Sequence, residues 1–156
     1  MKIVLGFSFG MGGSEPGISN KVMAQVVSKL QPDVISVQKE IGKALRDLGV
    51  TSDHEVFTHQ TQGKYLDTEE VARQMITFLK TKKLHEKYVS VIAHPAHISR
   101  CVRILRKLGL QKIILIHADI PYDPSSEQVW VRSPLLYRTR EILAFPLYLY
   151  RGYFTA

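Results

Sequence analysis

Cysteine is almost absent from this chain, and the single Cys101 cannot form an internal disulfide. Such chains are typical of reducing compartments. Long apolar runs are also lacking: the longest near the C-terminus, residues 142–150, contains a proline and is shorter than the roughly 20 residues that a helix needs to span a bilayer. The N-terminus has neither the apolar region nor the cleavage site of a signal peptide. The sequence therefore predicts a cytoplasmic protein without a membrane span.

Acidic residues are in the minority. The chain has 14 Asp and Glu against 21 Lys and Arg, a formal charge of +7 with neutral histidines. This balance favours anionic partners such as phosphates and carboxylates. The only dense basic run, residues 80–87, has no alternating aromatic residues, so we expect no nucleic-acid partner. The 156 residues fit one domain, 1–156, large enough to bury about 70% of the surface that the unfolded chain exposes.

Apolar periodicity predicts alternating strands and helices. Strands are expected at 2–5, 55–59, 88–94 and 112–118, and helices at 34–49, 67–80, 98–109 and from Pro134 to a kink or stop at Pro146. Asp67 with Glu70 is a plausible capping pair for helix 67–80, and Ser133 before Pro134 is the expected cap of the last helix. Segment 34–49 begins with β-branched residues, but its apolar positions have helical spacing and Gly49 stands where a C-cap belongs. Alternation of this kind predicts an α/β, three-layer Rossmann-like domain with a mainly parallel sheet of about four to five strands.

Histidines stand at the ends of three predicted strands, namely His59, His94 and His117. Ligands of an open parallel sheet bind at the carboxyl ends of its strands, so these positions lie where function is expected. For any one of these histidines alone, a hydrogen bond to a neighbouring carbonyl that closes its strand is the favoured interpretation. The spacing of His94 and His97 does not match the HExxH pattern, so no metal site is predicted. Whether the three histidines ever bind a metal is left open.

A glycine loop, "GFSFGMGGSEPG" at residues 6–17, follows the first predicted strand. Glycines let backbone amides approach a ligand closely, and the loop leads toward a helix whose N-terminus favours anions. The loop matches neither G-x-G-x-x-G nor a P-loop with its lysine. It is therefore either a cradle for a phosphate or carboxylate or a simple long turn.

His97 and Arg100 lie three residues apart at the start of the predicted helix 98–109, so both side chains can contact the same ligand. Arg100 would hold an anionic group with paired donors, while His97 would donate to that group or shuttle protons near neutral pH. The alternative is a solvated basic stripe that Arg103 and Lys107 continue. Glu70, or Glu69 beside it, could orient a hydroxyl or an amine, and Cys101 is expected in the core.

Gln38 and Glu40 are further polar candidates, although a solvent-facing position is also typical of such residues. The predicted catalytic residues are His97 and Glu70. The predicted ligand-binding residues are Gly6, Ser8, Gly10, Gly12, Gly13, Thr68, His94 and Arg100.

Four segments together resemble the YdcF/SanA/ElyC-like bacterial domain family, historically a domain of unknown function. They are "VLGFSFG", Thr68 with Glu70, "VSVIAHPAHISR" with His97 and Arg100, and Arg140-Glu141. The chain departs from the family pattern where Val71 stands in place of an asparagine, and it lacks a Ser-Gly-Gly after the second strand. It also lacks the N-terminal helix of the membrane-anchored relatives.

The resemblance implies a Rossmann-like sheet with a small-molecule pocket, S-adenosylmethionine as a candidate cofactor, and a role in envelope or cell-wall physiology. The leading hypothesis is a small-molecule-binding, enzyme-like domain for an anionic or nucleotide-type ligand, with the question of catalysis left open. The alternative is a non-catalytic interaction module or homodimer that uses the aromatic segment 145–154. That segment could also simply cover the sheet.

Overall fold

The computed structural model describes residues 1–11 and 14–152. Within these residues five parallel strands lie in the order β3-β2-β1-β4-β5. The strands are β1 (Ile3–Gly6), β2 (Val34–Gln38), β3 (His54–Val56), β4 (Val89–Ile92) and β5 (Ile113–Leu115), and the helices are α1 (Ile18–Leu30), α2 (Lys39–Asp47), α3 (Thr68–Thr81), α4 (Pro95–Lys107) and α5 (Pro134–Tyr150), with a short 3-10 turn at Val129–Val131.

Helices cover both faces of the sheet, which confirms the three-layer Rossmann-like α/β fold. On one face α1 and α2 pack against side chains such as Val4 and Ile35. On the other face α3 and α4 pack against Ile3 and Leu5, together with the buried Cys101 that was expected in the core. Successive strand residues point to opposite faces, so the central strands need apolar residues at almost every position.

The prediction of one helix over residues 34–49 is wrong. Residues 34–38 form β2, which pairs with β1 on one side and β3 on the other, and helix α2 begins only at Lys39. The helical spacing is real from Ile41 onward, because Ile41, Ala44 and Leu45 form the buried face of α2. The β-branched run before it is a central strand, whose pairing with two neighbours outweighs a local pattern.

Two helix boundaries also differ from prediction. Helix α4 begins three residues earlier than expected, because Pro95 occupies its first turn and the His94 side chain accepts a hydrogen bond from the Ala96 amide at 3.2 Å. Proline is favoured there, since the first turn has no intrahelical partner for its amide. Helix α5 continues through Pro146 to Tyr150 and is capped by Ser133, as predicted. In the part of the chain that is described, no helix is both long and apolar enough to cross a bilayer.

Candidate functional site

A cavity of about 860 Å³ opens at the carboxyl edge of the sheet. Its walls come from segments that are far apart in sequence. They are the start of the glycine loop at 8–11, the β2–α2 junction at 38–40, the β3–α3 connection at 57–68, the first three turns of α4, the segment 128–131 and the inner side of α5. The volume suits a ligand the size of a nucleotide.

The crevice between β1 and β4 is closed by aromatic rings. The strand order reverses at this point, and it is where a Rossmann-like sheet usually offers its pocket. Here the Phe9 ring stacks on the His94 ring with centroids 3.8 Å apart, and Tyr122 meets His94 edge-on at 4.4 Å. We call these three rings the aromatic plug. Because it fills the crevice, the cavity lies to one side, against α3, α4 and α5.

An arginine network joins α4 to α5 at the cavity wall. The Arg100 guanidinium lies 2.6 Å from the Glu141 carboxylate, hydrogen-bonds the Tyr148 hydroxyl, and reaches His97 Nδ1 at 2.9 Å. Arg140 contacts the same Glu141 oxygen at 2.7 Å. Burial disfavours the charge of Arg100, but Tyr137 and Glu141 raise its pKa, so the side chain stays cationic.

His97 is neutral in this network. Arginine can only donate hydrogen bonds, so His97 Nδ1 must be the acceptor of the Arg100 bond and the ring proton lies on Nε2. Burial lowers the pKa of His97 well below 6.5, and the charges of Arg100 and Arg140 lower it further. This environment does not favour the proton shuttling near neutral pH that the sequence suggested. The imidazole instead fixes the orientation of Arg100.

In the described part of the glycine loop, backbone amides donate hydrogen bonds to other groups of the protein. The Phe7 amide donates to the Ile92 carbonyl at 3.0 Å, and the Ser8 amide donates to Gln38 Oε1 at 2.8 Å. The Phe9 and Met11 amides donate to side-chain oxygens of Asn20 and Ser126 at 2.9 and 3.2 Å. These four amides are therefore engaged, so an anion in the cavity would rely mainly on side chains.

A buried polar cluster holds the loop in this shape. Asn20 donates to the carbonyls of Gly10 and Pro16 at 3.0 and 2.6 Å, and the Ser126 hydroxyl donates to the Met11 carbonyl at 2.8 Å. Gly10 has a φ of 76°, and a side chain there would meet Val131 at 2.6 Å. Asn20 of α1 and the segment after β5 therefore hold residues 9–11 in place. Nothing in the spacing of Asn20 or Ser126 indicated this role.

Polar groups around the cavity include atoms without a protein partner. Ser8 Oγ, Glu40 Oε2 and Arg100 Nε are buried and make no hydrogen bond. A buried unsatisfied polar atom costs free energy, which a suitable ligand could recover. Gln38, whose Oε1 accepts the Ser8 amide, also lines the cavity.

The β3–α3 connection forms the rim of the cavity. Asp67 caps α3 by accepting the Glu70 amide at 2.9 Å, as the sequence predicted, and also binds Arg151 at 2.9 Å. Thr68 lines the cavity. The buried Glu70 carboxylate instead holds the connection itself, accepting from the Gln60 amide at 3.2 Å and from Gln74 at 2.8 Å.

The three histidines at the predicted strand ends do not converge. His59 lies in the β3–α3 connection with its Nε2 3.9 Å from Glu70, His94 belongs to the aromatic plug, and His117 is exposed beyond β5. Burial lowers the pKa of His94 to about 4, so this ring is neutral at pH 7. Across residues 1–11 and 14–152, no group of three or more metal-ligating side chains could hold a metal ion.

Five of the predicted site residues share the cavity wall, and three others lie outside it. Gly6 packs against α2, where an added Cβ would approach Val37 at 2.8 Å and Ile41 at 3.1 Å. The lining set is Ser8, Gly10, Thr68, His97 and Arg100; Gly6, His94 and Glu70 do not line the cavity, and Gly12 and Gly13 lie outside the described residues. Sequence reasoning did not single out several lining residues, namely Lys39, Lys64, Tyr65, Trp130, Tyr137 and Arg151.

No protein-family model matches this chain, and a search of curated proteins finds no significant match. The family resemblance thus stays a hypothesis that rests on the motifs in the sequence.

Proposed function

We propose that the protein is a small-molecule-binding, enzyme-like domain whose cavity takes an anionic, nucleotide-type ligand. One observation carries this proposal: cationic side chains outnumber carboxylates around the cavity at the carboxyl edge of the sheet. The cations that line it are Lys39, Lys64, Arg100, Arg140 and Arg151, whereas the carboxylates that line it are Glu40 and Asp67.

The distribution of these charges supports an anion more strongly than their number does. Arg100 and Arg140 share the single carboxylate of Glu141, so that pair of cations is only half neutralised. Among the described residues, Lys39 and Lys64 take part in no ion pair. A ligand carrying a phosphate or carboxylate would supply the missing negative charge.

The aromatic residues of the wall support a planar group in the same ligand. Phe57 and Tyr65 are exposed on the β3–α3 connection, and Trp130 lies under the Arg140 guanidinium at 5.5 Å. All three rings line the cavity. Exposed rings at a cavity are suited to stack on a flat heterocycle such as a nucleobase. S-adenosylmethionine, which the family resemblance suggests, contains such a ring and a carboxylate, but its net charge is positive, so the charges of the wall favour a nucleotide over it.

The test is ligand binding by the purified protein, measured as a shift in melting temperature and by calorimetry. We expect at least one compound among nucleotides, S-adenosylmethionine and phosphorylated sugars to raise the melting temperature. Arg100→Gln should remove that shift, measured against the melting temperature of the variant itself, because Arg100 also has structural contacts.

Arg106→Gln is the matched control. It removes an arginine from the exposed side of the same helix and should leave the ligand shift unchanged. If none of the three compound classes binds the unmodified protein, the proposal is wrong. Equal loss of binding in both variants would point to a general charge effect rather than to the cavity.

The alternative hypothesis, an interaction module or homodimer that uses segment 145–154, has one observation in its favour. Phe145 and Tyr150 are exposed, although Tyr148 is turned inward against Arg100, and Tyr153 and Phe154 lie outside the described residues. Light scattering of the wild type and of Tyr150→Glu would test it. A monomer in both cases would contradict the homodimer.

A further inference from the structure

Helix α5 turns an apolar side away from the rest of the molecule. Leu135, Ile142 and Leu149 recur every seven residues, and Leu143 and Tyr150 follow the last two by one position. These five side chains, which we call the outer face of α5, keep between 52% and 90% of their surface accessible. Scattered apolar residues are normal on a protein surface, but a continuous helical stripe is typical of a docking surface.

The charges on α4 and α5 are mostly positive. Helices α4 and α5 together carry six Lys and Arg and a single acidic residue, the partly exposed Glu141, which is paired with both Arg100 and Arg140. Arg138 is exposed on α5 itself. On α4, Lys107 donates to the Arg151 carbonyl at 2.7 Å, which places the exposed basic side of α4 beside the end of α5.

From this combination we infer that the outer face of α5 docks on an anionic phospholipid surface. An apolar helix face with flanking basic residues can lie in the interfacial plane of a bilayer, with its apolar side chains among the acyl chains and its cations at the headgroups. A second copy of the chain would instead bring two cationic surfaces together, which their mutual repulsion opposes. The inference is independent of the ligand that the cavity holds.

Vesicle co-sedimentation of the full chain tests the inference. The wild type should sediment with vesicles of phosphatidylcholine and phosphatidylglycerol, and much less with phosphatidylcholine alone. Ile142→Glu/Leu143→Glu should weaken binding about a hundredfold or more, because it removes apolar area and adds two negative charges. Both positions are largely exposed, so the variant should melt at the wild-type temperature.

The matched apolar control is Leu48→Glu/Tyr88→Glu. It adds the same two charges at exposed apolar positions, one at the end of α2 and one just before β4, and should bind vesicles almost as the wild type does.

A second pair of variants, one test and one control, examines the basic residues. Arg103→Gln/Arg138→Gln should weaken binding about fivefold for each charge removed. Lys80→Gln/Lys87→Gln removes two charges from the exposed basic run at 80–87 and should change binding little. Equal loss in the two variants would mean nonspecific attraction, and would overturn the assignment to α5.

Light scattering distinguishes a phospholipid surface from the other possible partners of the outer face of α5. A wild-type dimer that Ile142→Glu/Leu143→Glu converts to a monomer, with no sedimentation of either protein, would show that a second copy covers this face. No sedimentation and no dimer would also overturn the inference, and would leave an acidic protein partner as the next hypothesis.

Discussion

Two histidines three residues apart on the same edge of the sheet have opposite surroundings. His94 lies in the aromatic plug between Phe9 and Tyr122, with no charged group among the three rings. His97 lies in the arginine network, where Arg100 donates to it and Glu141 neutralises part of the charge. Both imidazoles are neutral at pH 7, but only His97 lines the cavity.

The difference shows that the carboxyl edge of a Rossmann-like sheet can combine a rigid, filled part with a polar, open part. The aromatic plug fills the crevice at the reversal of strand order and gives rigidity there, whereas the network keeps polar groups at an open wall. Stability should therefore depend chiefly on the plug, and ligand binding on the network. Each of the following predictions tests one side of this division.

The largest effect is expected from Phe9→Ala, which removes one of the three rings of the aromatic plug. Phe9 is only 3% exposed, and its loss leaves a cavity beside His94 and Tyr122. We expect the free energy of unfolding to fall by about 3–5 kcal/mol in urea denaturation. Phe57→Ala, at a ring that is 53% exposed on the open side, should change it by less than about 0.5 kcal/mol. Similar losses in the two variants would contradict the division.

Acid should destabilise the protein through the buried histidines. The pKa of His94 is about 4 in the folded protein, lowered from 6.5 by burial, so the unfolded chain binds more protons between these values. Stability is therefore complete above about pH 6.5 and is lost as the pH falls, by about 2 kcal/mol from His94 between pH 7.5 and 5. The pKa values of His54 and His97, also lowered by burial, add losses of the same sign.

His94→Asn isolates the contribution of the plug. Asparagine can still cap α4 but does not titrate, so the decline of the unfolding free energy from pH 7.5 to 5 should become shallower by about 2 kcal/mol. Urea denaturation at several pH values measures it. An unchanged pH dependence would mean that His94 is not a source of the acid sensitivity.

Much of the fold follows from local pattern. The buried stripe of α3, the capping of that helix by Asp67, and the Ser133-Pro134 start of α5 all depend on neighbours within a few residues, and all were predicted. The strand β2 was missed, since its identity depends on pairing with β1 and β3, which no short window contains. The carboxyl-edge position of Ser8, His97 and Arg100 followed from the alternation of strands and helices.

The chemistry of the site depended on contacts between distant residues. Nothing near Arg100 in the sequence indicates that Glu141 and Tyr148, more than forty residues later, would hold it. Asn20 and Ser126 similarly occupy the loop amides from distant positions. The sequence identified residue types suited to an anion, but it could not show which donors were already engaged, because that requires tertiary structure.

The smallest and sharpest test concerns the charge balance of the arginine network. Glu141→Gln keeps an oxygen that can accept from Arg100 but removes the only carboxylate that Arg100 and Arg140 share. Because Glu141 is partly exposed, the unfolding free energy should fall by only about 1 kcal/mol. The affinity for inorganic pyrophosphate, measured by calorimetry, should rise about fivefold, since the two guanidiniums lose a competing anion.

Glu69→Gln, which weakens the surface pair with Arg73, should change neither quantity. A fall in affinity for Glu141→Gln would instead mean that Glu141 prepares Arg100 for the ligand, and that orientation outweighs charge at this wall.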